Sequence, residues 1–276
     1  MISIITPSLD PNINKIKNTL TSILNNNGQY EIILILQKTA EKKIELLKNH
    51  YFNKNKLKII IDDGVGISRA RNIGIKYSSG EWILLLDDDI HIKDNIINQL
   101  EKVLSKYELF YYGNTMVMNS NSHYLRFYTT NNNLSIWSYN RICSVALIIN
   151  KKVFENIGLF DENLGAGSKF GSSEESDLIL RALFRGIKIK YLKEYTVYHE
   201  NACHSALKIE NYAKGLGAVY KKYIFSKYIK LYFKFIIDIL IRILLLLTFQ
   251  KKRFLFFFGF IKGFKSYKLN DRKFNL

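Results

Sequence analysis

The strongest constraint on this chain is an alternation. Short apolar runs recur as "ISIITPS" (Ile2 to Ser8), "EIILILQ" (Glu31 to Gln37), "LKIIID" (Leu57 to Asp62) and "EWILLLD" (Glu81 to Asp87). Between them lie segments with helical apolar spacing: Ile16, Leu20, Ile23 and Leu24, then Glu41 to His50, then Ile67 to Tyr77. A near-continuous aliphatic run such as Ile32 to Leu36 suits a strand buried on both faces. This order predicts an α/β/α sandwich around a mostly parallel central sheet. Ligands of such sheets collect beyond the carboxyl ends of the strands. Pro7 is expected to stop the first strand. Pro7–Ser8, Gln37, Asp62–Asp63 and the aspartates at 87 to 89 then gather at one edge.

Beyond Asp94 the pattern reads as a helix to about Lys106, strands around a looser insertion, and a strand from Arg141 to Asn150. A further helix starts near Ser173, and "IKIKYL" and "YTVYHE" close the fold as edge strands. We divide the 276 residues into an α/β domain, 1–205, and a basic, apolar helical region, 206–276. The net charge of +17 is concentrated late: residues 201–276 hold sixteen Lys/Arg and three Asp/Glu. Because these bases are interleaved with Phe, Leu and Ile, they favour an anionic membrane surface over nucleic acid. Leu231 to Phe249 approaches the ~20 residues that span hydrocarbon. Yet Lys234, Asp238 and Arg242 fall four apart and make one polar stripe. A pair of helices lying in the membrane surface is therefore expected, with a spanning helix or a soluble subdomain as alternatives. Cys143 and Cys203 give neither a disulfide framework nor a zinc spacing, which fits a reducing cytoplasm. The N-terminus reads as a strand entering a fold rather than as a secretory signal.

Three aspartates in succession repel one another and call for something positive. Asp87 and Asp89, one residue apart, can both approach Mg²⁺ or Mn²⁺, with Asp88 across the pleat or turning with the loop. Such cations take one or two protein carboxylates and fill the remaining positions with substrate phosphate, so a diphosphate-bearing substrate is expected. In "GVGISRARNIG" (Gly64 to Gly74) Arg69 and Arg71 point to different faces. One can reach a diphosphate while the other pairs with Asp62 or Asp63. "GAGSKFGSSEESDLILRAL" (Gly165 to Leu183) offers a helix capped by Ser172 or Ser173, with Glu174, Glu175 and Asp177 near its positive end. One of these carboxylates can act as general base towards an acceptor hydroxyl. His199, at a strand end, can complete the ligand set of the metal. Each piece also has a plain structural reading: a solvated acidic turn, a local ion pair, a good helix N-terminus.

In this order the motifs resemble family 2 glycosyltransferases with the GT-A fold, from about Ile2 to Glu200. The block "RARNIGIKYSSGEWILLLDDD" carries most of the likeness. The resemblance implies that Pro7 and Ser8 lie against the base and ribose of a nucleotide, and Asp62 or Asp63 with Arg71 near the base and diphosphate. It makes Asp87 and Asp89 the DXD motif at the metal, with Asp88 beside the donor, and brings His199 to that metal. Glu175 falls at the catalytic carboxylate, counting back from Asp177 and Arg181. Two departures stand out. Gln37 occupies a position where a base-binding aspartate is usual, and Glu175 one where aspartate is commoner, which keeps Glu174 and Asp177 as candidates. The implied activity is a Mn²⁺- or Mg²⁺-dependent, inverting transfer from a nucleotide-diphosphate sugar, a UDP-sugar, to a glycan or lipid-linked acceptor. It would serve surface-polysaccharide assembly at the cytoplasmic face of the bacterial inner membrane. A nucleotidyltransferase, or a non-catalytic membrane-bound nucleotide-sugar binder, is the alternative. At the ordinary pKa of ~4.3 the base would be ionised at neutral pH. The acceptor side is assigned to Asn114 to Asn140.

Overall fold

Strands β1 (Ile2–Leu9), β2 (Tyr30–Gln37), β3 (Leu57–Asp62) and β4 (Trp82–Leu85) run parallel in the order β3-β2-β1-β4. Helices α1 (Ile13–Leu24), α2 (Glu41–His50) and α3 (Ile67–Tyr77) connect them. Alternation along β1 divides the core between the two faces of the sheet. Ile4 packs in one cluster with Leu34, Leu84 and the α1 residues Ile16 and Leu20; Ile5 packs in another with Ile83, Leu85 and Ile75. The computed structural model describes residues 1–51, 55–104, 108–120, 122–123, 133–199, 205–224 and 228–268.

Pro7 does not end β1, which continues in register with β2 to Leu9. The amide of Ile2 donates to Gln29 on the β2 side, whereas Leu86 donates to Ile5 from the β4 side. Odd-numbered residues of β1 therefore address β4, and β4 has finished at Leu85. Pro7 brings no N–H to the β4 side, where pairing ends at Ile5 with Leu85, while the bonds to β2 come from even-numbered residues and are kept.

The second half of the sheet is mixed. Its elements are β5 (Ile90–Ile92), α4 (Ile96–Val103), β6 (Phe110–Val117), β7 (Leu147–Asn150), α5 (Lys151–Ile157), α6 (Glu174–Phe184) and β8 (Ile189–His199). β7 is antiparallel to both β4 and β6, and β8 is parallel to β6 but antiparallel to β5. The full order is β3-β2-β1-β4-β7-β6-β8-β5, and only β7 and β5 run against the other strands, so the sheet is mostly parallel, as expected. "IKIKYL" and "YTVYHE" are one strand, β8, and it lies inside the sheet; the three-residue β5 is the edge. Of Arg141 to Asn150 only the last four residues are strand. Glu200, Cys203 and residues 124–132 of the expected acceptor region lie outside the described residues.

Three helices follow: α7 (Ala206–Tyr223), α8 (Ile229–Leu246) and α9 (Lys251–Ser266). Leu216, Val219, Tyr223, Leu231 and Phe260 belong to the same apolar cluster as Ile5 and the α6 residues Leu178 and Leu180. α7 and α9 cross with backbones touching. A Cβ on Gly263 would lie 1.9 Å from the Lys214 carbonyl oxygen, and one on Gly217 2.1 Å from that of Phe260. Only glycine allows this approach. Among the described residues, no helix is long and apolar enough to cross a membrane.

Candidate functional site

The carboxyl ends of β1, β2 and β4 and the first turn of α6 open into one cleft of about 570 Å³. Pro7, Ser8, Gln37, Asp87, Asp88, Asp89, Glu174, Glu175 and His199 all line it. Asp62, Arg71 and Asp177 do not: they are buried behind its walls. Asp63 is exposed and outside the lining.

At the β2 end, Gln37 is held in place on both sides of its amide. Its Nε2 donates to Asp62 Oδ2 at 2.8 Å, and its Oε1 accepts from the Gly66 amide at 3.1 Å. Gly66 has φ 125°, a conformation that glycine adopts readily and that lets α3 begin here. Asp62 also accepts from Arg69 Nε at 3.0 Å, from the Arg69 guanidinium at 2.8 Å and from the Gly64 amide at 3.1 Å. The Arg69 hydrogen bonds hold its carboxyl at about pKa 2, against the opposing effect of burial. Arg69 is thus the locally paired arginine.

Arg71 is the other, and it is fully buried. It donates 2.8 Å to Glu174 Oε1, 2.9 Å to Asp87 Oδ1 and 2.9 Å to Ser144 Oγ. Its place is therefore behind the carboxylates, tying the aspartate run to the first turn of α6, not on the cleft surface beside a diphosphate. A buried guanidinium tolerates this position because carboxylates pair with it on two sides.

The three aspartates have different surroundings. Asp87 pairs with Arg71. Asp88 accepts from the Ser8 hydroxyl through its side chain and from Thr19 Oγ1 at 2.9 Å through its carbonyl. Burial raises the Asp88 pKa, and the neighbouring charges of Asp87 and Asp89 add to that. Asp89 faces His199, whose Nε2 lies 3.6 Å from Asp89 Oδ1. The pairing of Ile90 with His199 across β5 and β8 sets this contact. Among the described residues no group of three or more His, Cys, Asp or Glu side chains is placed to hold a metal by itself. Mg²⁺ and Mn²⁺ do not need such a cage, because substrate phosphate completes their coordination. Asp89 and His199, with Asp87 on the same cleft wall, fit a cation of that kind.

α6 begins at Ser173, which has φ 70° and makes no side-chain cap bond. Ser172 does not cap it either; its hydroxyl donates to the Asn211 carbonyl of α7 at 3.1 Å. Glu174 and Glu175 occupy the first turn. Burial first, and the charge of Glu174 second, push the Glu175 carboxyl up to about pKa 8. The shift favours the protonated form in the free protein, against the unperturbed expectation. Asp177 points into the core. It accepts from the Tyr223 hydroxyl at 2.7 Å, pairs with Arg181 at 2.9 Å and with Lys222 at 2.7 Å. Burial would raise its pKa, but Lys222 and Arg181 outweigh that and bring it to about 2. Of the three acids on this helix, two face the cleft and one holds the core.

Sequence reasoning missed part of the lining. Cys143 and Ser144 come from turns before β7, Lys208 and Tyr212 from α7, and Phe256 from α9, whereas Asn140 belongs to the expected acceptor stretch. The helical residues belong to the stretch set apart as an appendage, and no local pattern connects them to the aspartates. The packing of α7 against Ser172 brings Lys208 and Tyr212 there, and the α7–α9 crossing brings Phe256.

Residues 3–158 match the family model described as Glycosyl transferase family 2. The Escherichia coli UDP-Glc:alpha-D-GlcNAc-diphosphoundecaprenol beta-1,3-glucosyltransferase WfgD is 29% identical over 126 residues, 44% of this chain and 48% of that protein. The Shigella flexneri dTDP-rhamnosyl transferase RfbF is 26% identical over 149 residues, 49% and 48% of the two chains. The chain spans about half the length of these curated relatives. Among solved structures, S. aureus TarS superposes with a TM-score of 0.63 at 14% identity, covering 82% of this chain and 40% of TarS. The structure of TarS 1–349 in complex with UDP-GlcNAc gives 0.61 at 14% identity over 82% of this chain and 67% of that one. These two are likenesses of fold. The family match covers more than half of the chain and takes in Pro7, Gln37, Arg71 and the whole aspartate run. The chain belongs to glycosyl transferase family 2.

Proposed function

We propose that this protein transfers a sugar, with inversion, from a nucleotide-diphosphate donor to a hydroxyl of a glycan or lipid-linked acceptor. The observation that carries the reading is one cleft lined both by Asp87–Asp89 and by Glu174–Glu175, its two walls joined behind by Arg71. UDP is the favoured nucleotide. In support, TarS has been crystallised with UDP-GlcNAc and UDP, and the Escherichia coli relative is named for a UDP-Glc donor. Both Asp89 and His199 would hold Mn²⁺ or Mg²⁺, with Asp87 beside them. The cation would neutralise charge gathering on the diphosphate leaving group.

The chain's own residues supply the rest. Gln37, fixed by Asp62 and Gly66, presents its side chain where β2 opens, and Pro7 and Ser8 form the adjoining wall for a base and ribose. Arg71 acts by position: it fixes the Asp87 and Glu174 carboxylates and so sets the gap between donor and base. Glu175, once deprotonated, takes the proton of the acceptor hydroxyl as that oxygen bonds to the anomeric carbon and the nucleoside diphosphate departs from the opposite face. The work would be done in surface-polysaccharide assembly at the cytoplasmic face of the inner membrane.

The test is a panel of UDP- and dTDP-sugars with Mn²⁺, read as thermal protection, as nucleoside diphosphate released and as sugar transferred. Glu175→Gln should keep protection by UDP and lose transfer by ~10²–10⁴-fold. Asp89→Ala should lose the Mn²⁺-dependent protection as well. Full transfer by either folded variant overturns the assignment.

A further inference from the structure

Helix α8 carries its polarity the wrong way round for a helix in water. Its buried residues are Leu231 and Lys234. The Lys234 ammonium lies 3.0 Å from Asp238, the Tyr220 hydroxyl donates to Asp238, and the Arg242 guanidinium sits 4.1 Å over the Phe256 ring. The charged stripe thus faces the protein. The opposite side presents Phe233, Ile237, Leu240, Ile241 and Leu244, with Leu240 55% and Leu244 63% exposed. The apolar surface runs on through Leu247 and Phe249, which is 83% exposed. Single exposed leucines are ordinary, but a contiguous face of this length marks a surface that meets something other than water.

We propose that this outer face is a membrane-docking surface on which α8 lies in the plane of an anionic phospholipid bilayer. Three observations select that occupant. No helix among the described residues can cross a bilayer, so the apolar face cannot belong to a span. Exposed lysines stand at both ends of the face: Lys230 at the start of α8, and Lys251 and Lys252 just after it. They would sit at headgroup depth while the aliphatic row enters the acyl boundary. A second copy of the chain would bring another net charge of +17 to the same surface, whereas anionic lipid brings the complementary sign. The proposal goes beyond the transferase reading and stands without it.

The full chain is tested by flotation with vesicles of phosphatidylglycerol and phosphatidylcholine, and with phosphatidylcholine alone. It should float with the anionic vesicles, more weakly as salt is raised. Leu240→Glu with Leu244→Glu should lower binding at least roughly tenfold with an unchanged melting temperature, because both side chains are solvent-facing. Lys251→Glu with Lys252→Glu should weaken the anionic-vesicle binding only. Ile237→Trp gives a second readout: its added emission should shift to the blue on vesicles and be quenched by brominated lipid. The proposal is overturned by wild-type protein that stays with the vesicle-free fractions, or by an unquenched Ile237→Trp. A glutamate pair that floats like wild type overturns it too, as does a dimer in light scattering that the glutamate pair dissolves without any vesicle binding.

Discussion

Glu175 is where the electrostatics of the cleft are most exacting. It is a base candidate with a raised pKa of about 8, because burial disfavours its charge and Glu174 stands beside it. A base must be deprotonated, and kcat/KM reports the ionisations of the free enzyme. We therefore predict that kcat/KM for transfer falls as pH drops below about 8, with a slope of one proton. A flat profile from pH 6 to 9 would exclude Glu175 as the titrating base. The same shift has a consequence for stability. Between the unfolded value of ~4.3 and the folded value of about 8, the native state holds a proton that the unfolded chain has released. That contribution is complete below ~4.3 and is lost as pH rises towards 8. Glu175→Gln has no such proton to lose. Its melting temperature should gain on wild type steadily from pH 5 to pH 8.5, and a pH-independent difference would refute the shift. Which acids line the cleft was largely readable, since Asp87, Asp88, Asp89, Glu174 and Glu175 all reach it, whereas the third acid of α6, Asp177, turns into the core. The raised pKa of Glu175 was not, because burial and a neighbour's charge are properties of the folded site.

Among the elements, the first four strands and their helices were the readable part, with α2, β3 and α3 found at the expected bounds. Each has enough residues for a period of 2 or 3.6 to declare itself, and each crossover constrains the next. β5 has three residues, too few for any period, and β8 was split in two because its pairing with β6 is irregular at Tyr112 to Asn114. Pro7 misled for a different reason: proline breaks a strand only where its missing N–H would have been used. The α7–α9 crossing shows the same dependence on context. In the sequence Gly217 and Gly263 resemble helix-weakening residues, but in the fold they are what lets two helices touch. A methyl at Gly263 would have to displace the Lys214 backbone, so Gly263→Ala should cost ~1–3 kcal/mol in urea unfolding despite the better helix propensity of alanine. Leu240→Ala, on the outward face of α8, should stay within ~0.5 kcal/mol in the same assay. If Gly263→Ala is neutral, the close crossing is not required.

Across the whole molecule, the question is whether residues 206–276 behave as an appendage or as part of the same folding unit. Asp177 connects the two through charge. It lies two residues after Glu175 on α6, and its partners are Arg181 of α6 and Lys222 and Tyr223 of α7. Lys222 also pairs with Asp161 at 2.8 Å, and Asp161 accepts from Tyr267 beyond α9 at 3.1 Å. The C-terminal helices thus hold the helix that carries the base candidate through a buried network, and they share its apolar cluster. Removing one member of a buried pair leaves the others unpaired, at ~3–5 kcal/mol. Asp177→Asn should lose about that much at pH 7. The depressed pKa of about 2 sets how the loss varies with pH. The stabilisation is complete above the unfolded value of ~3.9 and disappears as pH falls towards 2, so the gap between wild type and Asp177→Asn should close over that range. A shared core also predicts one transition. Tryptophan fluorescence, which includes Trp82 in the central sheet, and far-ultraviolet circular dichroism, dominated by the helices, should give coincident urea curves in both proteins. If the helical signal is lost first while fluorescence holds, residues 206–276 unfold on their own, and the buried network does not bind them to the catalytic fold.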